Sequence, residues 1–163
     1  MKFVVLSGHE LLRLVIAIAA SYLLALPVGW ERKRHSQAYV GLRVFPLVAV
    51  GACAYVFIGQ QLFTGELEPE QSQMLQGLMT GIGFIGAGAI IKHARDVRGV
   101  ATAAAVWTTG AIGAAVAYGY YPVAIALSVI NLIILDVTWR LARRAGEALA
   151  SEPEATSERS GEE

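Results

Sequence analysis

Apolar residues gather along the chain into five long blocks, and the short segments between them carry most of the charge. Each block has about 18–22 residues, the length that crosses roughly 30 Å of hydrocarbon as an α-helix. Continuous apolar runs lack the period-two alternation of a membrane β-barrel, so their backbone groups must be satisfied within helices. The pattern predicts an all-α polytopic membrane protein with about five transmembrane helices, at Leu11 to Trp30, Leu42 to Phe63, Met74 to Ile91, Gly99 to Gly119 and Tyr121 to Trp139.

The first block has a second interpretation, as a cleaved signal peptide, because Lys2 precedes an apolar stretch that contains Ala17-Ile18-Ala19. Glu10 and Arg13, however, lie where a signal peptide should become uninterrupted and apolar. We therefore favour a retained first helix.

Basic residues lie on one side of the predicted bundle. They follow the first, third and fifth blocks, whereas the segment from Thr64 to Gln73 has three glutamates and no Lys or Arg. The positive-inside bias then predicts an amino end outside the cell and a carboxyl end in the cytoplasm. Aromatic residues at the block ends fit the membrane interfaces: Trp30, Tyr118, Tyr120, Tyr121 and Trp139.

Composition agrees with a lipid-solvated chain, since 55% of the residues are apolar and 16% are charged. The formal net charge is zero, so no nucleic-acid surface is predicted. Cys53 is the single cysteine; it cannot form an internal disulfide and is interpreted as a small buried hydrophobic residue. Residues 1–144 form one transmembrane domain in this interpretation, and the polar, acidic segment 145–163 is predicted to be a disordered cytoplasmic tail.

The third block is rich in glycine, and three explanations compete for Gly77, Gly81, Gly83, Gly86 and Gly88. Residues 81 to 86 match the dinucleotide-binding pattern GxGxxG, but this pattern needs a preceding strand and an acidic residue about 20 positions later. Around position 106 the chain reads Ala-Ala-Ala-Val-Trp, so we reject the nucleotide interpretation. A second explanation is helix packing, because a GxxxG pair lets a neighbouring helix approach closely and the fourth block is itself rich in alanine and glycine.

The third explanation is a broken helix that lines a site. The run Gly86-Ala87-Gly88-Ala89 immediately precedes the charged turn from Lys92 to Gly99, so the helix end is deformable where charge collects. Backbone groups exposed there could contact an ion or a partner if protein or water shields them from lipid.

Two polar residues fall inside the fifth block. Asp136 is an ionisable group in a predicted span, which is a functional hypothesis by default, but it lies four residues before Arg140 and can form an interfacial ion pair. Asn131 is predicted to hydrogen-bond across helices.

Several activities are not supported by any motif. The sequence has no P-loop and no cytoplasmic domain that could carry a phosphorylated aspartate, which excludes a pump ATPase. His9, His35 and His93 are dispersed and lack metal-ligand spacing. We therefore expect a protein that is not an enzyme and has no cofactor.

Three short motifs, taken together, resemble those of the MgtC/SapB family of bacterial inner-membrane proteins. They are GIGFIGAGAII followed by VRGVATAAAVW, Gly29-Trp30-Glu31-Arg32, and Gly41-Leu42-Arg43, and the resemblance covers about residues 11 to 140. It implies a five-helix membrane domain, a role in growth at low magnesium and, in pathogens, in survival within macrophages. Some members are thought to restrain the membrane sector of ATP synthase, so the resemblance implies a membrane-protein partner of this kind.

The chain also departs from the family pattern. Val44-Phe45 stands where relatives commonly have Thr-His, and Ala101 and Ala105 stand where a hydroxyl or amide residue is usual. The soluble carboxyl-terminal regulatory domain of longer members is expected to be absent, together with any control exercised through it.

The charged residues of the three motifs share one predicted location, the cytoplasmic face. A network such as Glu31 with Arg43 or Arg98 is expected there, because carboxylates and guanidiniums attract more strongly at an interface of reduced dielectric than in water. The alternative is that these residues are ordinary positive-inside anchors with nearby counter-charges. The candidate cluster comprises Glu31, Arg32, Arg43, Asp96 and Arg98.

Two functional hypotheses follow. The preferred one is a regulatory or accessory protein that binds another membrane complex, with lipid as its solvent and a homo-oligomer as a further option. The alternative is a small cation transporter or channel, with Glu31, Asp96 and Asp136 as candidate magnesium ligands. Only Asp136 is predicted within a span, which is few ligands for a divalent-cation path.

Overall fold

A computed structural model describes residues 7–35, 40–62, 69–93 and 96–150 of the 163-residue chain. These ranges contain five helices and one two-stranded antiparallel sheet: α1 (Gly8–His35), α2 (Val40–Leu62), α3 (Pro69–Ala87), β1 (Ile91–His93), β2 (Asp96–Arg98), α4 (Val100–Ala117) and α5 (Tyr121–Ala150). The predicted all-α architecture with five helices is confirmed.

Four of the described helices are long and apolar enough to cross a membrane, over Gly8–Glu31, Leu42–Leu62, Val100–Ala117 and Tyr121–Arg144. Helix α3 differs because it begins with five residues, Pro69 to Gln73, that are polar apart from the proline. Its apolar part from Met74 to Ala87 rises by about 21 Å at 1.5 Å per residue, which is less than the roughly 30 Å of a hydrocarbon core.

The contacts between helices fix their relative directions. Helices α3 and α4 are antiparallel, because Gly110 lies against Ile82 whereas the earlier Ala103 lies against the later Gly86. Helices α1 and α5 are parallel, since Ser128 bonds to Leu24 and, further along both helices, Arg140 interacts with Glu31.

Helices α2 and α4 are also parallel. Gly113 lies against Ala49, and Gln60 donates a 3.3 Å hydrogen bond to the Ala117 carbonyl oxygen. Because α3 connects α2 to the parallel α4 and is antiparallel to α4, the five helices alternate in direction. The start of α1 and the carboxyl half of α5 therefore lie at opposite ends of the bundle.

The interior of the bundle contains many small and polar residues beside a few large apolar ones such as Phe45 and Ile112, and many other large apolar residues lie outside. Alanines, glycines and the polar Ser21, Thr109, Ser128 and Asn131 are buried. Phe84 is 83% exposed and Leu47 is 69% exposed. This distribution suits a chain in lipid, where large side chains can face acyl chains and helices pack through small residues.

The charged segment after α3 forms a hairpin, a feature that the sequence interpretation lacked. Helix α3 ends at Ala87, four residues before the predicted end of the third block, and its last turn is continued by the tight bonds Ala89 N to Gly86 O and Ile90 N to Ala87 O. Strands β1 and β2 pair in the register Ile91 with Arg98 and His93 with Asp96.

Gly99 closes the base of the hairpin and starts α4. Its φ of +89° lies in the left-handed region, where side chains with a Cβ are strained. A Cβ on Gly99 would also collide with the carbonyl group of Ala89. The position therefore requires glycine for two separate reasons.

Two helix ends differ from the predicted block ends. Helix α1 continues to His35, so Glu31 and Arg32 lie within the helix and not in a connecting segment. Helix α5 continues to Ala150 and includes the first six residues of the segment predicted as a tail. The rest of that segment, 151–163, lies outside the described residues.

Candidate functional site

A group of charged residues joins α1 and α5 at one end of the bundle. Glu31 is buried, with 8% of its surface exposed. On α5, Asp136 Oδ2 accepts a 2.8 Å charged hydrogen bond from Arg140 Nε. Arg140 also interacts electrostatically with Glu31. The guanidinium therefore pairs with Asp136 on its own helix, and a weaker, longer-range attraction links it to Glu31 on α1.

The sequence predicted the i, i+4 pair of Asp136 and Arg140. It did not identify Arg140 as a partner of Glu31. Glu31 and Arg140 are 109 positions apart, so only the packing of α1 beside α5 brings them together. One feature of the sequence pointed to this pair: each residue directly follows an apolar block on the side predicted to be cytoplasmic. Arg143 on α5 adds positive charge at the same end of the bundle. Its guanidinium lies 5.6 Å from the Trp139 ring centroid.

The other members of the predicted cluster are described less fully. Arg43 is exposed at the start of α2. Arg32 lies on α1, and Asp96 and Arg98 lie on β2, but the side chains of these three residues fall outside the described set. The structure gives the locations of Glu31 and Arg43, and the five-residue network stays a prediction.

Three of the four apolar positions noted above, Val44, Phe45 and Ala105, meet in one core cluster beside this charged end, whereas Ala101 is exposed. Phe45 is 1% exposed and Ala105 is 2% exposed, and both belong to a cluster with Val28 and Leu135. Val44 packs against the same cluster.

The polar residues deeper in α5 bind neighbouring helices. The Asn131 amide nitrogen donates a 2.6 Å hydrogen bond to the Thr108 hydroxyl on α4. The Ser128 hydroxyl donates a 2.7 Å hydrogen bond to the Leu24 carbonyl oxygen on α1. These bonds connect α5 to both neighbouring helices within candidate membrane spans, so both side chains have a structural role.

The five glycines of the third block have different surroundings. Gly86 is buried against α4, where a Cβ would lie 3.0 Å from the Ala103 carbonyl oxygen. Gly77, Gly81 and Gly83 have no atom of another element within 4 Å of an added Cβ, and Gly88 follows the end of the helix beside the Ile85 carbonyl. Contact with α4 through the glycine run therefore uses Gly86, whereas the GxxxG pair Gly77 and Gly81 has open space where a Cβ would lie, as far as the described residues show. The GxGxxG match lies within α3, so it forms no nucleotide-binding loop.

The GxxxG pair instead borders an open groove between α2 and α3. The groove has a volume of about 470 Å³, and its wall is mainly apolar. Gly51 on α2 faces Gly77 and Gly81 on α3, and no atom lies within 4 Å of an added Cβ at any of the three. Leu47 and Tyr55, which are 69% and 50% exposed, continue the groove wall along α2. We call this surface the glycine groove.

Comparison with known proteins adds a family match. The model of the MgtC family matches residues 18–144. Curated relatives include "Putative magnesium transporter YhiD" of Escherichia coli (strain K12), which is 31% identical over 144 residues, or 85% of this chain and 65% of that protein. "Protein MgtC" of Brucella abortus (strain 2308) is 41% identical over 97 residues, or 59% of this chain and 39% of that protein.

A third relative, "Protein MgtC" of Salmonella typhimurium (strain LT2), is 33% identical over 131 residues, or 78% of this chain and 54% of that protein. The chain thus spans between 39% and 65% of the length of these three relatives. No solved structure matches it.

Proposed function

Because this chain belongs to the MgtC family, we propose that it is an accessory protein of the bacterial inner membrane that regulates another membrane complex during adaptation to low magnesium. Its activity in this proposal is binding and not catalysis. The glycine groove carries the proposal, and the occupant we assign to it is a transmembrane helix of the partner complex.

The groove has the chemistry of a helix-binding surface in lipid. Gly51, Gly77 and Gly81 expose backbone on both walls, which allows a second helix to approach more closely than larger side chains would permit. The lining is apolar, as the surface of a transmembrane helix is. Helices α2 and α3 leave this space open, although the same residue types pack tightly between α2 and α4 at Gly113.

The membrane sector of ATP synthase is the partner that we propose to test first. In this hypothesis a helix of that sector docks in the glycine groove, and the charged end around Glu31 and Arg140 contacts its cytoplasmic surface. The outcome for the cell would be restrained proton transfer when magnesium is scarce, and the same restraint would act in virulence if the organism is a pathogen.

Two substitutions on α3 test the groove with a matched control. Gly81→Leu fills the groove, whereas Gly83→Leu adds the same side chain two residues away at a position that also has open space but does not line the groove. After cross-linking from position Tyr55, we expect the Gly81→Leu variant to recover no ATP synthase subunits. We also expect that this variant does not rescue growth of a deletion strain at limiting magnesium. Gly83→Leu should keep both.

The outcomes separate the occupants. Equal recovery and rescue by both variants at normal protein levels would refute the groove as the binding surface. A cross-link from Tyr55 to a second copy of the chain, or to lipid alone, would identify that molecule, and not the partner complex, as the occupant of the groove. ATP-driven proton pumping in inverted vesicles should rise in the Gly81→Leu strain if the complex is ATP synthase.

A second candidate function is magnesium transport, which the name of the YhiD relative favours. Magnesium commonly binds one or two carboxylates and keeps several waters. In this chain the Asp136 carboxylate is bonded to Arg140, and the described residues contain no group of three His, Cys, Asp or Glu side chains that could hold a metal ion. Magnesium uptake by liposomes that contain only the purified protein, above that of empty liposomes, would favour transport over regulation.

A further inference from the structure

The end of the bundle opposite Glu31 contains a second cavity, which the proposed function does not use. Helices α1, α2, α4 and α5 surround it, and its volume is about 400 Å³, within the range of roughly 300–1,000 Å³ that is usual for ligand pockets. Arg13, Gln60, Tyr118 and Tyr121 line its polar part, and Ile16 and Phe57 line its apolar part. We call it the Arg13 vestibule.

Arg13 is a charged residue on a helix that is long and apolar enough to cross a membrane. Among the described residues its guanidinium has neither an ion pair nor a hydrogen bond. The nearest carboxylate along the helix, that of Glu10, is engaged elsewhere: it accepts a 2.7 Å hydrogen bond from the Ser7 amide, and the Ser7 hydroxyl accepts one from the Glu10 amide. This reciprocal capping box fixes the start of α1, and no carboxylate of the described residues is paired with Arg13.

Several carbonyl oxygens around the vestibule already accept hydrogen bonds. Gln60 donates to the Ala117 carbonyl oxygen, and the amides of Tyr118, Gly119 and Tyr120 donate to carbonyl oxygens in the last turns of α4. The carboxyl end of α4 is therefore capped by the chain itself. Among the described residues, the Arg13 fork and the hydroxyls of Tyr118 and Tyr121 are donors of the vestibule that have no hydrogen-bond partner.

Arg13 is exposed and lies near the start of its span, where a bound anion would neutralise its charge at the edge of the apolar region. Its planar fork matches two oxygens of a phosphate group, and phenol hydroxyls can donate to a third. The adjoining apolar wall of Ile16 and Phe57 can accept the hydrocarbon of a lipid. We propose that the Arg13 vestibule binds a phosphate-bearing anion, whose source is either the headgroup of a membrane lipid or free phosphate.

Binding is tested on the full chain in a neutral detergent. Native mass spectrometry measures retention of phosphatidylglycerol against monoglucosyl diacylglycerol with the same acyl chains, and a parallel titration uses inorganic phosphate. We expect one tightly held phosphatidylglycerol per chain, with the dissociation constant raised at least tenfold in Arg13→Gln. Arg144→Gln removes the same charge from an exposed position on α5 and should change the constant less than twofold.

Two milder variants keep the test decisive if Arg13→Gln does not accumulate. Arg13→Lys retains the charge but not the fork and should weaken binding threefold or more, and Tyr121→Phe removes one hydroxyl from an exposed side chain and should weaken it two- to fivefold. Arg13-dependent binding of inorganic phosphate without lipid retention would identify free phosphate as the source. Unchanged affinity in the Arg13 and Tyr121 variants, or equal retention of the phosphate-free lipid, would overturn the proposal.

Discussion

Asn131 on α5 and Thr108 on α4 form a 2.6 Å hydrogen bond inside the helix bundle. Thr108 accepts this bond while its own hydroxyl donates to the carbonyl oxygens of Ala104 and Ala105. The hydroxyl therefore uses its donor and an acceptor site at once. In a region without water the pair holds α5 in a fixed rotation against α4, because turning α5 would leave the Asn131 amide without a partner.

The Asn131 bond should contribute measurably to stability. We expect Asn131→Leu and Thr108→Val each to destabilise the bundle, with a coupling of about 0.6–1.7 kcal/mol in a double-mutant cycle. Unfolding by sodium dodecyl sulfate in mixed micelles provides the measurement. Thr138→Val is the control, since the Thr138 hydroxyl bonds only to carbonyls of its own helix. Additive effects of the two substitutions would show that the bond contributes nothing.

Close backbone contact between α2 and α4 should make Gly113 intolerant of a side chain. A Cβ at this position would collide with the Ala49 carbonyl, so Gly113→Ala must separate the helices and should cost about 1–3 kcal/mol despite the better helix propensity of alanine. Gly83→Ala meets no neighbouring atom and should be neutral or stabilising by up to about 1 kcal/mol. Thermal denaturation of both variants in detergent tests the difference, and equal melting temperatures would contradict the contact.

Substitutions at Gly99 and Gly119 distinguish the cost of a strained backbone from the cost of a steric collision. Both have positive φ, +89° and +78°, but an added Cβ collides with Ala89 only at Gly99. Gly119→Ala should therefore cost about 1–2 kcal/mol from the left-handed backbone alone, and Gly99→Ala should cost more and shift the hairpin. Denaturation gives the costs, and proteolysis near Lys92 reports the hairpin. A cost at Gly119 as large as that at Gly99 would mean that collision has no effect.

Arg140 should be more important than Asp136, because its guanidinium bonds to Asp136 and also attracts, over a longer distance, the buried Glu31. Arg140→Gln is expected to destabilise the protein more than Asp136→Asn, since it leaves a buried carboxylate without this counter-charge. Comparison of the two variants in detergent at low and high salt provides the test. Equal effects would indicate that Glu31 gains nothing from Arg140.

Labelling of single cysteines should reveal which end of the bundle is cytoplasmic. We expect a membrane-impermeant maleimide to label Tyr120→Cys in intact cells, and to label Lys92→Cys only after the membrane is broken. Both positions are exposed, whereas native Cys53 is fully buried, so the wild-type chain is an unlabelled control. The reverse pattern would invert the predicted orientation and move the Arg13 vestibule to the cytoplasmic leaflet.

The limits of sequence reasoning are clearest in the third block. Apolar length predicted a helix from Met74 to Ile91, but the helix runs from Pro69 to Ala87 and a hairpin follows. Hydropathy measures how residues partition and says little about where hydrogen bonding ends, so boundaries in a glycine-rich segment depend on contacts with other elements. For the same reason the GxxxG pattern predicted close packing at Gly77 and Gly81. It did not indicate whether the helix that packs there belongs to this chain or to a partner.

The sequence by itself determined the number of helices, their approximate positions and the local ion pair of Asp136 with Arg140, because apolar length and i, i+4 spacing are properties of a single segment. Only the tertiary structure decided that Arg140 attracts Glu31, that Gly86 contacts α4 while Gly77 borders an open groove, and that Arg13 lines a cavity. These relationships depend on the direction and rotation of helices against one another. Many side chains distributed over the whole bundle set that packing, and no local pattern encodes it.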